Sequence, residues 1–337
     1  MQIPRLALTP ALAIGLLLLT GCASFVAEKV AFAPNADRAD DDIRANRYPP
    51  DVRDIVVDRD LRLPVAGSYG AGPAELSVWI IDANDQALEP SADGLGFVLA
   101  HPDKPRQTIE PRGTVVLLHG FKHRKTKRVY LEWARLLATS GYRCVLIDNR
   151  GHGDSTGKLV GFGVREADDT AQVLDALEQQ GQLVKPLVLL GGSLGAATAI
   201  QLAATDDRID TVIAVAPYAR LDEVMESFAE AYTGFARLVP EDTWTRYAEA
   251  VCKLAGITLE QTNNIRAARE VKVPVLLIAG ESDERVPIKQ VRAVLNAAPQ
   301  GSKLVTVPGE SHNSLGKGVI APVRDAVLEW LEKPATR

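Results

Sequence analysis

Residues 187–200 read Leu187-Val188-Leu189-Leu190-Gly191-Gly192-Ser193-Leu194-Gly195-Ala196-Ala197-Thr198-Ala199-Ile200. An apolar run suited to a buried strand enters G-x-S-x-G and leaves through small residues suited to a helix lying close to that strand. Such a turn strains the backbone at its central serine, and glycine at 191 and 195 removes the Cβ atoms that would clash there. The pattern predicts Ser193 at the carboxyl edge of a sheet, at the start of a helix, as a nucleophile. A plain Gly-rich turn is the alternative. A serine hydroxyl attacks poorly at neutral pH, so a base and an acid that orients it must follow from elsewhere in the chain.

The chain has five histidines, at 101, 119, 123, 152 and 312, and only His312 follows Ser193. It lies in Val307-Pro308-Gly309-Glu310-Ser311-His312, just past the β-rich run Lys303–Val307. The run Val275–Ala279 leads into Gly280-Glu281-Ser282-Asp283-Glu284-Arg285-Val286-Pro287. Asp283 is the candidate acid, with Glu281 and Glu284 as rivals better suited to solvated loop charges.

These segments resemble the α/β-hydrolase superfamily: strand-G-x-S-x-G, then G-x-x-D-x-x-V-P, then G-x-x-H, in that order. Thr114–Phe121, ending Leu118-His119-Gly120-Phe121, is similar to the family's oxyanion loop. Asp148-Asn149-Arg150-Gly151-His152-Gly153-Asp154-Ser155 is similar to its D-x-R-G-x-G-x-S segment. Within the superfamily the chain is most similar to serine-aminopeptidase-like and Bem46-like hydrolases, which carry a small lid. The resemblance covers residues 74–333 and says little about substrate.

Acyl transfer builds negative charge on a carbonyl oxygen, which preorganised N–H donors stabilise. The Leu194 N–H, at a helix N-terminus, and the Phe121 N–H are the expected donors. His119 is expected to pack beneath its loop, His152 to sit in a turn, and Asp148 to fix a loop as an acceptor. The run Lys122-His123-Arg124-Lys125-Thr126-Lys127-Arg128 carries five fixed positive charges in a chain of net charge −5. It is either a solvated loop or an anion site at the catalytic mouth, with Lys122, Arg124 and Lys125 as candidates.

The N-terminus reads as an export signal. One positive charge at Arg5 precedes an almost unbroken apolar run from Leu6 to Leu19, then Leu19-Thr20-Gly21-Cys22. That ending resembles a bacterial lipobox, which implies cleavage before Cys22 and lipidation of it, hence a membrane anchor. An ordinary signal peptide or a single-span anchor is the alternative. With Ala23 rather than aspartate next, the resemblance implies the outer membrane, facing the periplasm. The expected layout is a signal peptide over 1–21, an acidic lipidated tether over 22–51 and one catalytic domain over 52–337. Composition is that of an ordinary globule, 46% apolar, with nothing to suggest nucleic-acid binding. No metal-ligand spacing and no phosphate or dinucleotide motif is present, so no cofactor is expected. Cys144 and Cys252 are expected as buried thiols, a bridge between them being the lesser alternative.

Strand signals fall at 74–81, 95–100, 114–118, 144–148, 187–190, 211–215, 275–279 and 303–307, with helical patterns such as 129–139 and 167–179 between them. The later runs are continuously apolar, as in a parallel sheet covered on both faces. The fold class is therefore α/β, an α/β-hydrolase fold with a mostly parallel eight-stranded sheet, flanking helices and a small helical cap. The cap is placed at 218–272, where the alternation breaks and Phe228, Tyr232, Phe235, Trp244 and Tyr247 cluster. The expected activity is serine hydrolysis of a small-molecule acyl ester or thioester. An aminopeptidase or acyltransferase on the same triad, or an idle scaffold serving as an envelope binding protein, are the rivals.

Overall fold

The computed structural model describes residues 23–39, 43, 51–52, 55–234 and 236–332. Helix α1 (Ala23–Ala31) comes first, then β1 (Arg59–Val65), β2 (Ala74–Ile81), β3 (Thr114–Leu118), α2 (Arg128–Thr139), β4 (Arg143–Ile147), α3 (Val164–Gln179) and β5 (Leu187–Gly192). After these follow α4 (Leu194–Ala203), β6 (Thr211–Val215), α5 (Leu221–Thr233), α6 (Glu241–Ala255), α7 (Asn264–Glu270), β7 (Val275–Gly280), α8 (Ile288–Ala297), β8 (Lys303–Val307), α9 (His312–Leu315) and α10 (Ala321–Leu331). One eight-stranded sheet runs β8-β7-β6-β5-β3-β4-β2-β1. Strands β3 to β8 are mutually parallel, and β2 and β1 extend the sheet antiparallel.

The parallel strands are apolar on both faces because both are covered. Successive residues alternate between two cores. Val116, Leu118, Leu189, Ala214 and Leu277 face the helices α3, α4, α7 and α8. Val115, Leu117, Leu190, Ile213 and Ile278 face α2 and α10. The carboxyl ends of β5, β7 and β8 lie along one edge, where the register pairs Val215 with Gly192 and with Ile278.

Three sequence expectations fail locally. The run 95–100 is not part of the main sheet; Phe97–Leu99 forms a two-stranded hairpin with Leu88–Pro90. The eighth strand is instead Arg59–Val65, whose Pro64 is tolerated because β1 is the sheet's edge. Residues 23–38 are not a tether. Helix α1 packs against α6, and Ala27, Ala31 and Ala33 are buried. Asn35 Nδ2 donates to the carbonyls of Gly153 and Ser155, both at 3.0 Å. The apolar Ala23–Ala33 stretch gives this segment a buried face, and the acidic run begins only beyond it. The export signal and Cys22 lie outside the described residues, as does Phe235.

The cap is smaller than the break in alternation implied. Helices α5 and α6, joined by a 3-10 turn at Ala236–Leu238, form it. Helix α7 packs on α4 and α8 in the flanking layer. Cys144 and Cys252 are both buried free thiols.

Candidate active site

Ser193 stands between β5 and α4 with φ 55° and ψ −114°, a region that non-glycine residues rarely occupy. Its N–H donates to Val215 O at 2.8 Å, which ties the turn to β6. A Cβ at position 191 would lie 2.1 Å from Gly195 O, and one at 195 would lie 2.0 Å from Leu118 O. The two glycines are therefore the condition for this turn against β3.

His312 opens α9 after β8, and the Ser311 side chain caps that short helix by accepting from the Ser314 N–H. Its Nδ1 is 2.9 Å from Asp283 Oδ2. The other Asp283 oxygen, Oδ1, accepts from the N–H groups of Arg285 (3.0 Å) and Val286 (2.8 Å). The carboxylate is thus held at both ends inside the loop after β7. Glu281 and Glu284 are exposed. Ser193 and His312 line the same cavity, and Phe228 of the cap meets the His312 ring edge-on, centroids 5.7 Å apart.

Among the described residues, the N–H groups of Phe121 and Leu194 have no protein acceptor. The loop carrying Phe121 is pinned from three sides. Gly120 N–H donates to the Tyr130 hydroxyl at 2.8 Å. His119 is buried, which pushes its pKa down to about 3. The neutral ring then donates from Nδ1 to Gly120 O (2.9 Å) and accepts at Nε2 from the Asn149 N–H (2.9 Å). His152 Nε2 accepts from the N–H of Lys122, a residue with φ 56°. His119 and His152 therefore brace this loop, and Tyr130 is a brace that the sequence did not single out.

Asp148 fixes the adjoining loop, accepting from the Lys125 N–H (2.7 Å), the Asp154 N–H (2.9 Å) and Lys125 Nζ (2.5 Å). This corrects the reading of Lys125 as an anion-binding residue. Its ammonium is fully buried between Asp148, Asp154 and the Ser77 hydroxyl, 4.8 Å from the centre of the Trp79 ring. Lys122 and Arg124 are exposed, and neither lines a cavity with Ser193. From the same basic run it is Lys127 that lines the Ser193 cavity, together with His123 and with Arg285 from the Asp283 loop. Spacing in a loop carries no signal for which cation turns inward.

A second cavity of about 560 Å³ also opens onto Ser193. Its walls are almost wholly apolar, with Phe162 from the core, Met225, Phe228 and Trp244 from the cap, and Val26 and Val30 from α1. Among the described residues no cluster of His, Cys, Asp and Glu could hold a metal, and no helix is long and apolar enough to cross a membrane.

Comparison with known proteins places this architecture. A family described as serine aminopeptidase, S33, matches residues 109–250, and one described as TAP-like protein matches 241–337. The monoacylglycerol lipase of Mycolicibacterium smegmatis is 25% identical over 272 residues, 72% of this chain and 96% of that one. The uncharacterized protein YqkD of Bacillus subtilis is 27% identical over 206 residues, which span 59% of this chain but only 63% of that protein. The solved structure of the Pyrococcus furiosus esterase Pf2001 shares the fold, with a TM-score of 0.56 at 19% identity, over 84% of this chain and 90% of its own. The chain belongs to the α/β-hydrolase superfamily.

Proposed function

We propose that this chain is a serine hydrolase that cleaves acyl esters or thioesters by way of an acyl-enzyme. Ser193 Oγ attacks the acyl carbonyl while His312 Nε2 takes its proton and later returns it to the leaving group. Asp283 holds the imidazole in the tautomer with hydrogen on Nδ1 and stabilises the imidazolium that forms. The N–H groups of Phe121 and Leu194 receive the developing oxyanion, and water then releases the acid. The observation that carries the reading is the 2.9 Å Asp283–His312 contact behind an imidazole that shares its cavity with a strained serine.

The acyl part suits the apolar cavity, where each buried methylene contributes about 0.8 kcal/mol. An amine-terminal peptide suits the site poorly: among the described residues no carboxylate lines either cavity, and the charged groups beside Ser193 are cations. We further propose that Cys22 carries a lipid that anchors the chain to the bacterial envelope. A fluorophosphonate probe tests the mechanism. The expected result is labelling of the intact protein, none of Ser193→Ala, and ester turnover lost with it; unchanged esterase activity in Ser193→Ala would overturn it.

A further inference from the structure

We propose that Lys127 and Arg285 form a subsite for an anionic group, a carboxylate or a phosphate, on the leaving part of the substrate. This rests on the serine-hydrolase reading and adds the class of alcohol it favours. Lys127 is the N-cap residue of α2, and Arg285 lies two residues beyond Asp283. Both line the cavity that contains Ser193 and His312. The apolar cavity takes the acyl chain from the same serine, so the cationic cavity receives what departs.

The surroundings of the two cations differ from those of five arginines elsewhere in the fold. Arg59, Arg106, Arg143, Arg150 and Arg208 all lie against carboxylates at 2.6–2.7 Å. Among the described residues neither Lys127 nor Arg285 has a carboxylate partner. Lys127 Nζ donates to His123 Nε2 at 2.9 Å. Burial and the neighbouring Lys127 push the His123 pKa down to about 4, so that ring is neutral and can accept. Arg285 lies over the rings of Phe228 (5.4 Å to the centroid) and Tyr232 (4.7 Å), which fix its plane without neutralising it.

Both side chains are partly buried, in a chain of net charge −5. Like charges held together away from bulk water disfavour each other. Burial, with Arg285 adding to it, pushes Lys127 down to about 8. The position of Lys127 compounds this, because a cation at a helix N-terminus opposes the helix dipole. An anion beside the two would offset their repulsion and the opposing helix dipole together, and a guanidinium offers paired N–H donors that match a carboxylate or a phosphate.

The test uses two pairs of octanoyl esters matched in acyl chain: glycerol 3-phosphate against glycerol, and 3-hydroxybenzoate against 3-hydroxybenzamide. The reading is the ratio of kcat/KM within each pair. The expected ratio favours the anionic member by about tenfold or more, the effect of one charge-assisted contact. It falls towards one in Lys127→Met and in Arg285→Gln, while Arg285→Lys keeps several-fold of it, which separates charge from packing. Preference in the first pair alone means a phosphate site, in the second alone a carboxylate site. Equal rates within both pairs overturn the proposal. Equilibrium binding of the same esters to Ser193→Ala separates this from the parent reading. Tighter binding of the anionic esters without turnover by the intact protein keeps the subsite and removes the hydrolase mechanism; equal binding removes the subsite.

Discussion

Replacing Asp283 by asparagine changes no shape, yet the hydrogen bonds around it set the price in activity. Oδ1 accepts two backbone N–H groups, from Arg285 and Val286, and Oδ2 faces His312 Nδ1. If the asparagine carbonyl takes the Oδ1 position, its NH₂ faces Nδ1 and forces that nitrogen to accept. The hydrogen then sits on Nε2, which can no longer take the proton of Ser193. The opposite orientation restores the productive tautomer but sets the NH₂ against two donors. Leaving these two N–H groups unsatisfied, that of Val286 buried and that of Arg285 partly so, costs about 1–3 kcal/mol each, so about 2–6 kcal/mol in all. The competent orientation is therefore populated about once in thirty to about once in twenty-five thousand molecules, and kcat should fall by that factor. Steady-state hydrolysis of p-nitrophenyl octanoate at pH 7.5 measures it, with thermal unfolding as the control for intact packing. Activity within threefold of the native protein would refute the reasoning, as would a larger loss in Glu281→Gln or Glu284→Gln.

Three further outcomes are expected. Lys125→Met leaves the buried Asp148 and Asp154 without their ammonium, and should destabilise the fold by about 3–5 kcal/mol in denaturant titration, with a smaller loss as pH falls and a carboxyl takes up a proton, because less buried charge is then left unpaired. The preference for an anionic leaving part should decline as pH rises through about 8, where Lys127 loses its charge; His123 is already neutral, and His312 acts on both esters of a pair alike, so the ratio isolates Lys127. Cys22→Ser should move the protein out of the membrane fraction or leave its leader uncut, and mass spectrometry of the mature N-terminus identifies any lipid there.

The central sheet was legible because parallel strands buried on both faces write themselves as unbroken apolar runs, and β3, β5 and β7 do. The triad candidates were legible because their chain order and the loops that carry them follow strands. The edge was harder. Arg59-Asp60-Leu61-Arg62-Leu63-Pro64-Val65 mixes charge with a proline, and only its pairing with β2 makes it a strand. Helix α1 was obscured by the acidic run after it, although its burial comes from the partner surface on α6 rather than from its own composition. The basic loop defeated sequence reading for a different reason. Lys125 and Lys127 are two residues apart, yet one is sealed beneath Asp148 and the other reaches the cavity.

If the apolar cavity holds the acyl chain as proposed, the place of α1 in its wall writes part of the selectivity far from Ser193, at the opposite end of the chain from His312. Ala23 and Val26 pack on the cluster formed by Trp244 and Tyr247. A recombinant protein trimmed to begin after residue 39, as is common when a leader is removed, would keep its triad loops but leave those cap aromatics facing water. Its substrate profile would then describe an opened vessel. Grafting this helix between relatives offers a way to retune chain length without touching a residue near Ser193.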